Sequence, residues 1–204
     1  MRLWNARKRK EHLSLYSFDP ETRVYAIEVS LDDYSELFNG WDASPLKRKE
    51  LEPELMDYLE GAALEIPPRE KTEICFHLPA SLRDPEKEAK SAAAILQNMR
   101  VQLLLTQRRL GEIYRKAAAY AGISLLLLTV AYAVPGRVSL QVFTKIITEG
   151  VFIGGWWFLY EAFSMVFFVG HDARRRRSVF LRYLDSPIYF RDLVEPAELG
   201  KEWV

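Results

Sequence analysis

Cysteine is almost missing from this 204-residue chain: Cys75 stands alone. A single thiol excludes an internal disulfide framework and an all-cysteine zinc site, and it suits a reducing compartment. Histidine is scarce as well, with only His12, His77 and His171. Cys75 and His77 lie two apart on one strand pattern, which is too few ligands for a metal centre. His171-Asp172 reads as a polar pair at a membrane boundary. The phosphate-cradling glycine loop, the dinucleotide fingerprint, the nucleophile elbow and the H-E-x-x-H zinc helix are all missing. Without a nucleophile–base pair, the expectation is a protein that is not an enzyme and that needs neither cofactor nor metal. Charge of one sign is not in excess either, since 28 basic residues meet 28 acidic ones. The basic runs have no interleaved aromatic platform, so nucleic acid is not an expected partner. No apolar stretch follows the basic opening MRLWNARKRKEH, and a cleavable signal is therefore not expected.

What the chain does hold is apolar length. Val151–Val169 (VFIGGWWFLYEAFSMVFFV) is nineteen residues with one charge, Glu161, near the middle, and Ala117–Val134 (AAAYAGISLLLLTVAYAV) has no charge. A helix rising 1.5 Å per residue crosses a hydrocarbon core of about 30 Å in some twenty residues. Two such runs predict an α+β membrane protein: a small ββαβ cytoplasmic domain plus a two-helix transmembrane hairpin with long juxtamembrane helical extensions. The expected division is a cytoplasmic αβ domain over 1–84, a juxtamembrane helix over 85–116 and a first span over 117–134. A short external loop over 135–145, a second span over 146–170 and a basic tail over 171–204 complete it. Arg108, Arg109, Arg115 and Lys116 precede the first span, and Arg174, Arg175, Arg176 and Arg177 follow the second. The connecting loop holds only Arg137 and Lys145, so both termini are expected in the cytoplasm. The arginine run is read first as this topology signal and, more sharply, as an anionic-lipid or phosphate contact.

The soluble-looking region carries its own pattern. Leu13, Leu15 and Tyr16 alternate on one side of the DPET turn, and Val24, Ala26 and Ile27 on the other, as in a β-hairpin. Leu51, Leu55, Leu59 and Ala62 recur at helical spacing, with Pro53 expected to start the main helix and Pro67-Pro68 to stop it. TEICFHLP reads as a strand with Ile74, Phe76 and Leu78 on one side, parallel to the second strand through the helical crossover. Asp84 and Pro85 are a cap and first-turn pair for a helix running unbroken from 86 to 134. Leu96, Met99, Leu103, Leu110, Ile113 and Ala117 line one face of it, for a coiled coil or for packing on the sheet. IYFRDL, 188–193, reads as a last strand that joins this sheet or a neighbour's.

The residues with a functional reading lie in the spans. An ionisable group inside a bilayer is costly unless neutral, paired or wet. Glu161 shares a stripe with Gly150, Gly154, Trp157, Ser164 and Phe168, and Gly150 and Gly154 form a G-x-x-x-G that lets helices approach. Two faces of the first span are open as its partner: Ala117, Ala121, Ser124 and Leu128, or Ala118, Gly122 and Leu125. Counting inward from the basic ends puts Ser124 or Leu125 at the depth of Glu161. The first span has no Lys, Arg or His, so Glu161 is expected to be protonated, bonded to a hydroxyl such as Ser124, or exposed to water in a cavity between protomers; one reading is a protonated acid that locks helix packing. The competing reading is an ion or proton path. Trp156, Trp157 and Tyr160 are read as packing residues.

Leu37-Phe38-Asn39, Asp42 and Ser44-Pro45-Leu46 are followed by a helix, a strand, two apolar spans and a Gly-Trp in the second. This order resembles a family of uncharacterised bacterial inner-membrane proteins with a small cytoplasmic αβ domain ahead of a two-helix anchor; Pro53 departs from it. The resemblance implies a bacterial inner membrane and no particular activity. The functional expectation is a self-associating membrane protein whose cytoplasmic domain serves interaction or sensing. The alternative is an oligomeric ion or proton channel lined by Glu161. Expected partners are the lipid bilayer, further copies of the chain and a cytoplasmic protein.

Overall fold

The structure, a computed structural model, describes Leu13, residues 16–133 and residues 142–193. The basic arm 2–10, His12, Leu15, the turn at Pro135-Gly136, Arg137 and the end of the tail lie outside these residues. The chain divides into two compact units, one of residues 1–103 with 178–204 and one of residues 104–177.

The first unit is built on a four-stranded sheet in the order β1-β2-β3-β4, from β1 (Ser17–Asp19), β2 (Val24–Ser30), β3 (Lys71–Leu78) and β4 (Ile188–Asp192). β1 and β2 form an antiparallel hairpin, with Phe18 opposite Tyr25, but β1 begins only at Ser17: Leu13 is helical and Tyr16 lies in a bend, so neither is in the expected strand. Its turn is held by the Asp19 carboxylate, which accepts from the Glu21 N–H and the Thr22 hydroxyl at 2.8 and 2.6 Å. Arg23 takes the left-handed backbone that closes it, with φ 57°. Helix α1 (Pro53–Glu65) opens on Pro53, whose missing N–H costs nothing in a first turn, and carries the chain to β3, parallel to β2. β4 lies parallel to β3 in the same chain, Phe76 opposite Phe190.

The sheet's apolar face carries Ile27, Ile74, Phe76 and Leu78, which meet Leu55, Leu59 and Ala62 of α1. Two more helical segments complete this core. One is the start of α2 (Pro85–Ala133), through Ala94, Ile95 and Met99; the other is the end of α4 (Gly170–Leu184), through Val179, Phe180 and Tyr183. Leu96 is only half-buried and Ile95 takes its place in the core, while Met99 of the expected face is buried and Leu103 packs against the core. Asp84 caps α2 as expected, its carboxylate accepting from the N–H of Glu86 at 2.9 Å.

Several polar groups in this unit find backbone or side-chain partners, while Asn98 Oδ1 and Arg182 Nε are buried without a hydrogen bond among the described residues. The Arg182 guanidinium donates to four backbone carbonyls, those of Ala63, Ile66, Pro67 and Glu70, at 2.8–3.1 Å. These are the carbonyls that the end of α1 and the Pro67-Pro68 turn leave without helical partners. Tyr183 donates to the Leu59 carbonyl, and burial pushes its hydroxyl pKa up. Ser186 donates to the Arg182 carbonyl at 2.9 Å, which leaves its oxygen to accept from Thr72 at 2.8 Å. Arg83 bridges Glu88 and Asp192, tying the start of α2 to β4.

The second unit holds the rest of α2, α3 (Val142–Ser164), a π-helical turn at Met165–Val169 and the first turns of α4. Both long helices are apolar enough to cross a membrane.

Candidate functional site: the hairpin interface

Within the second unit α2 and α3 run antiparallel, and small residues set their approach. The Ser124 hydroxyl donates to the Gly155 carbonyl at 2.7 Å across the interface. A Cβ on Gly155 would stand 2.8 Å from the side chain of Leu128, so only glycine fits there. Ala117, Ser124, Ala131, Gly155 and Ala162 are buried. The ring pairs Tyr120–Phe158 and Tyr132–Phe152, at 5.5 and 5.7 Å between centroids, flank this seam on either side of Ser124. Of the two faces expected on the first span, the one with Ala117, Ala121, Ser124 and Leu128 is in use, while Ala118, Gly122 and Leu125 are exposed.

On the second span the seam lies one residue from the expected stripe. A Cβ on Gly154 would come no nearer than 4.0 Å to Leu127, and one on Gly150 or Gly122 would meet nothing within 4 Å. Trp157 is 56% exposed and Trp156 and Tyr160 are exposed too, so none of the three is a packing residue within the hairpin. The sequence offered two adjacent glycines, and the G-x-x-x-G spacing singled out Gly154. The residue that touches the partner is Gly155, which only the observed rotation of the helix reveals.

The register also moves Glu161. With Ser124 level with Gly155, the six residues from Gly155 to Glu161 correspond to about 9 Å along the axis. Six residues back along α2 is Ala118, within one turn of Arg115 and Lys116. The expected match between Glu161 and Ser124 is therefore corrected: the hydroxyl is committed to Gly155, and Glu161 stands at the level of the first span's basic end. Its carboxylate is half-buried and makes no hydrogen bond or ion pair among the described residues. Ser164 is half-buried one turn further on.

The basic end has structure that the sequence did not announce. In the π turn the Gly170 N–H bonds back five residues to the Met165 carbonyl. A π turn shifts the hydrogen-bond ladder and frees a carbonyl. Here the Val166 carbonyl accepts from Arg174 at 3.2 Å, while the same guanidinium donates to the Tyr114 hydroxyl at 2.5 Å. Arg174 thus joins α4 to α2. Arg115, Lys116, Arg175, Arg176 and Arg177 are exposed. No group of three metal-ligating side chains occurs among the described residues.

No family model matches the chain, and neither a curated protein nor a solved structure does.

Proposed function

We propose that the chain is a self-associating two-pass membrane protein whose αβ unit is an interaction or sensing module at the cytoplasmic face, and that it binds rather than catalyses. The observation that carries this reading is the inverted surface of the hairpin. Leu125, Ile153, Tyr160 and Phe167 are each more than 60% exposed, while small residues fill the seam. Apolar surface on this scale is sustained in lipid, where it meets hydrocarbon in place of water. The positive-inside rule supports cytoplasmic termini, and the family resemblance supports a bacterial inner membrane. Self-association draws on the stripe that the hairpin leaves uncovered: Gly150 in open space and Trp157 exposed beside it offer a second helix a close approach.

A channel lined by Glu161 draws on that carboxylate's lack of a partner, and it needs several copies, because two helices enclose no pore. Native mass spectrometry of the full chain in lipid nanodiscs separates the readings. Two copies or more are expected. A monomer sinks self-association, and a ring of four or more makes ion flux through wild type and Glu161→Gln the next measurement.

A further inference from the structure

Arg109 and Asp172 line one cleft of about 330 Å³ at the basic end of the hairpin. Arg176 and Thr106 complete its polar side, and Phe168 and Val169, the end of the second apolar run, form its apolar side. The volume lies at the lower end of the range of ligand pockets, about 300–1,000 Å³. Arg109 and Asp172 carry opposite charges toward the same space, yet neither makes a hydrogen bond or ion pair among the described residues. A ligand that complements this cleft carries an anion for the Arg109 guanidinium and a hydrogen-bonding cation for the Asp172 carboxylate. It also has an apolar continuation alongside Phe168. A purely anionic headgroup leaves Asp172 facing like charge, and a quaternary ammonium offers it no N–H.

We propose that the cleft holds the headgroup of a zwitterionic aminophospholipid, its phosphodiester against Arg109 and its primary ammonium against Asp172. Guanidinium–phosphate bonds are charge-assisted and geometrically specific, and Thr106 supplies a further hydroxyl donor. The site reads the headgroup's two charges together, which the exposed arginines outside the cleft do not.

The test uses the full chain in detergent micelles. It is titrated with phosphatidylethanolamine, phosphatidylcholine and phosphatidylglycerol of matched acyl chains, and retained lipid is counted by native mass spectrometry. Phosphatidylethanolamine is expected to bind roughly tenfold more tightly than phosphatidylcholine, the scale of one hydrogen bond to a charged group. Asp172→Asn is expected to erase that preference. Arg109→Gln is expected to weaken all three lipids by a similar roughly tenfold factor. Arg175→Gln, outside the cleft, is expected to change none.

Equal binding of phosphatidylethanolamine and phosphatidylcholine overturns the proposal, as does a preference for phosphatidylglycerol. So does an Arg175→Gln loss equal to that of Arg109→Gln. Free O-phosphoethanolamine that competes at the affinity of the lipid would make the ligand a soluble phosphate and overturn the lipid assignment. The wild-type comparison decides even where a variant fails to fold. The inference rests on the membrane reading above, which flotation of wild type with liposomes tests separately. Lost selectivity with intact flotation sinks the headgroup site alone.

Discussion

The two units of this chain solve opposite packing problems. In the αβ unit the large apolar side chains, Phe76, Ile74, Leu59 and Tyr183 among them, are inside, and the Arg182 guanidinium and the Tyr183 hydroxyl donate to buried backbone carbonyls. In the hairpin most large side chains are outside, and the buried residues are glycine, alanine, one serine and Ile113. Water drives the first arrangement, because apolar area leaves solvent when the sheet is covered. On the proposed membrane reading it does not drive the second: hydrocarbon is as apolar as leucine, so helices in lipid gain chiefly by close contact and a few hydrogen bonds. The same chain should therefore respond to two kinds of damage. The αβ unit is expected to fail when a polar group loses its partners, and the hairpin when a small residue is made larger.

Arg182 offers the strongest break in that comparison. Burial lowers its pKa, and the charge is held by the carbonyls of Ala63 and Ile66 at the end of α1 and of Pro67 and Glu70 in the turn beyond it. Arg182→Ala leaves those carbonyls without their donor, and a cost of about 3 kcal/mol or more is expected for the αβ unit. The lone thiol gives a local readout. Cys75 is fully buried in the sheet, and burial pushes its pKa up, so it is a poor target for thiol reagents until the unit opens. Labelling of Cys75 in Arg182→Ala is expected to speed up about a hundredfold when opening and closing are fast. Arg182→Lys is expected to rescue only part of this, since one ammonium cannot span the four acceptors. Unchanged labelling would mean that the core packing alone holds the end of α1.

Gly155→Leu is the matching insult to the hairpin. Its Cβ alone would lie 2.8 Å from Leu128, and 3.3 Å from the Leu128 backbone nitrogen, so the helices must separate or shift. Overpacking of this kind costs about 1–3 kcal/mol. Disulfide trapping between Leu127→Cys and Gly154→Cys, in a Cys75→Ser background, reports whether the seam still closes. The yield is expected to fall sharply with Gly155→Leu and to stay unchanged with Gly150→Leu, because nothing lies near Gly150. If Gly150→Leu instead lowers the assembly mass while the seam closes, the uncovered stripe is the contact between copies.

Much of this architecture was legible in the sequence, for a physical reason: its signals are local. Pro53 and the Asp84-Pro85 pair mark helix starts through φ restriction and capping, and the helices begin there. The alternation of Ile74, Phe76 and Leu78 marks the buried side of β3. The two spans show in composition alone. What escaped depends on rotation and register between elements distant in sequence. A one-residue turn of α3 replaces Gly154 with Gly155 at the seam, and on α2 Ile95 takes the core place expected of Leu96 while Met99 keeps its own. Depth counted inward from charged ends paired Glu161 with Ser124, whereas the hairpin contacts pair Ser124 with Gly155. Arg182 looked like one more basic residue in an arginine-rich stretch, because its four acceptors lie over a hundred residues away.

The smallest expected effect is the sharpest test of how the units differ, because it sets one buried hydroxyl against another. Thr72 donates to Ser186 within the αβ unit, and Ser124 donates to Gly155 within the hairpin, at 2.8 and 2.7 Å. Thr72→Val keeps the shape, removes the donor and leaves Ser186 one partner short; about 1 kcal/mol is expected from the αβ unit. Ser124→Ala removes a hydroxyl, but the Gly155 carbonyl keeps its place in the α3 backbone ladder. Interhelical hydrogen bonds in membrane proteins average about 0.6 kcal/mol, since the separated helices also find partners. Denaturation of each variant in micelles should therefore rank Thr72→Val above Ser124→Ala. The reverse order would mean that the seam is held by its one hydrogen bond more than by the fit of Gly155 against Leu128, and Gly155→Leu should then cost less than its geometry demands.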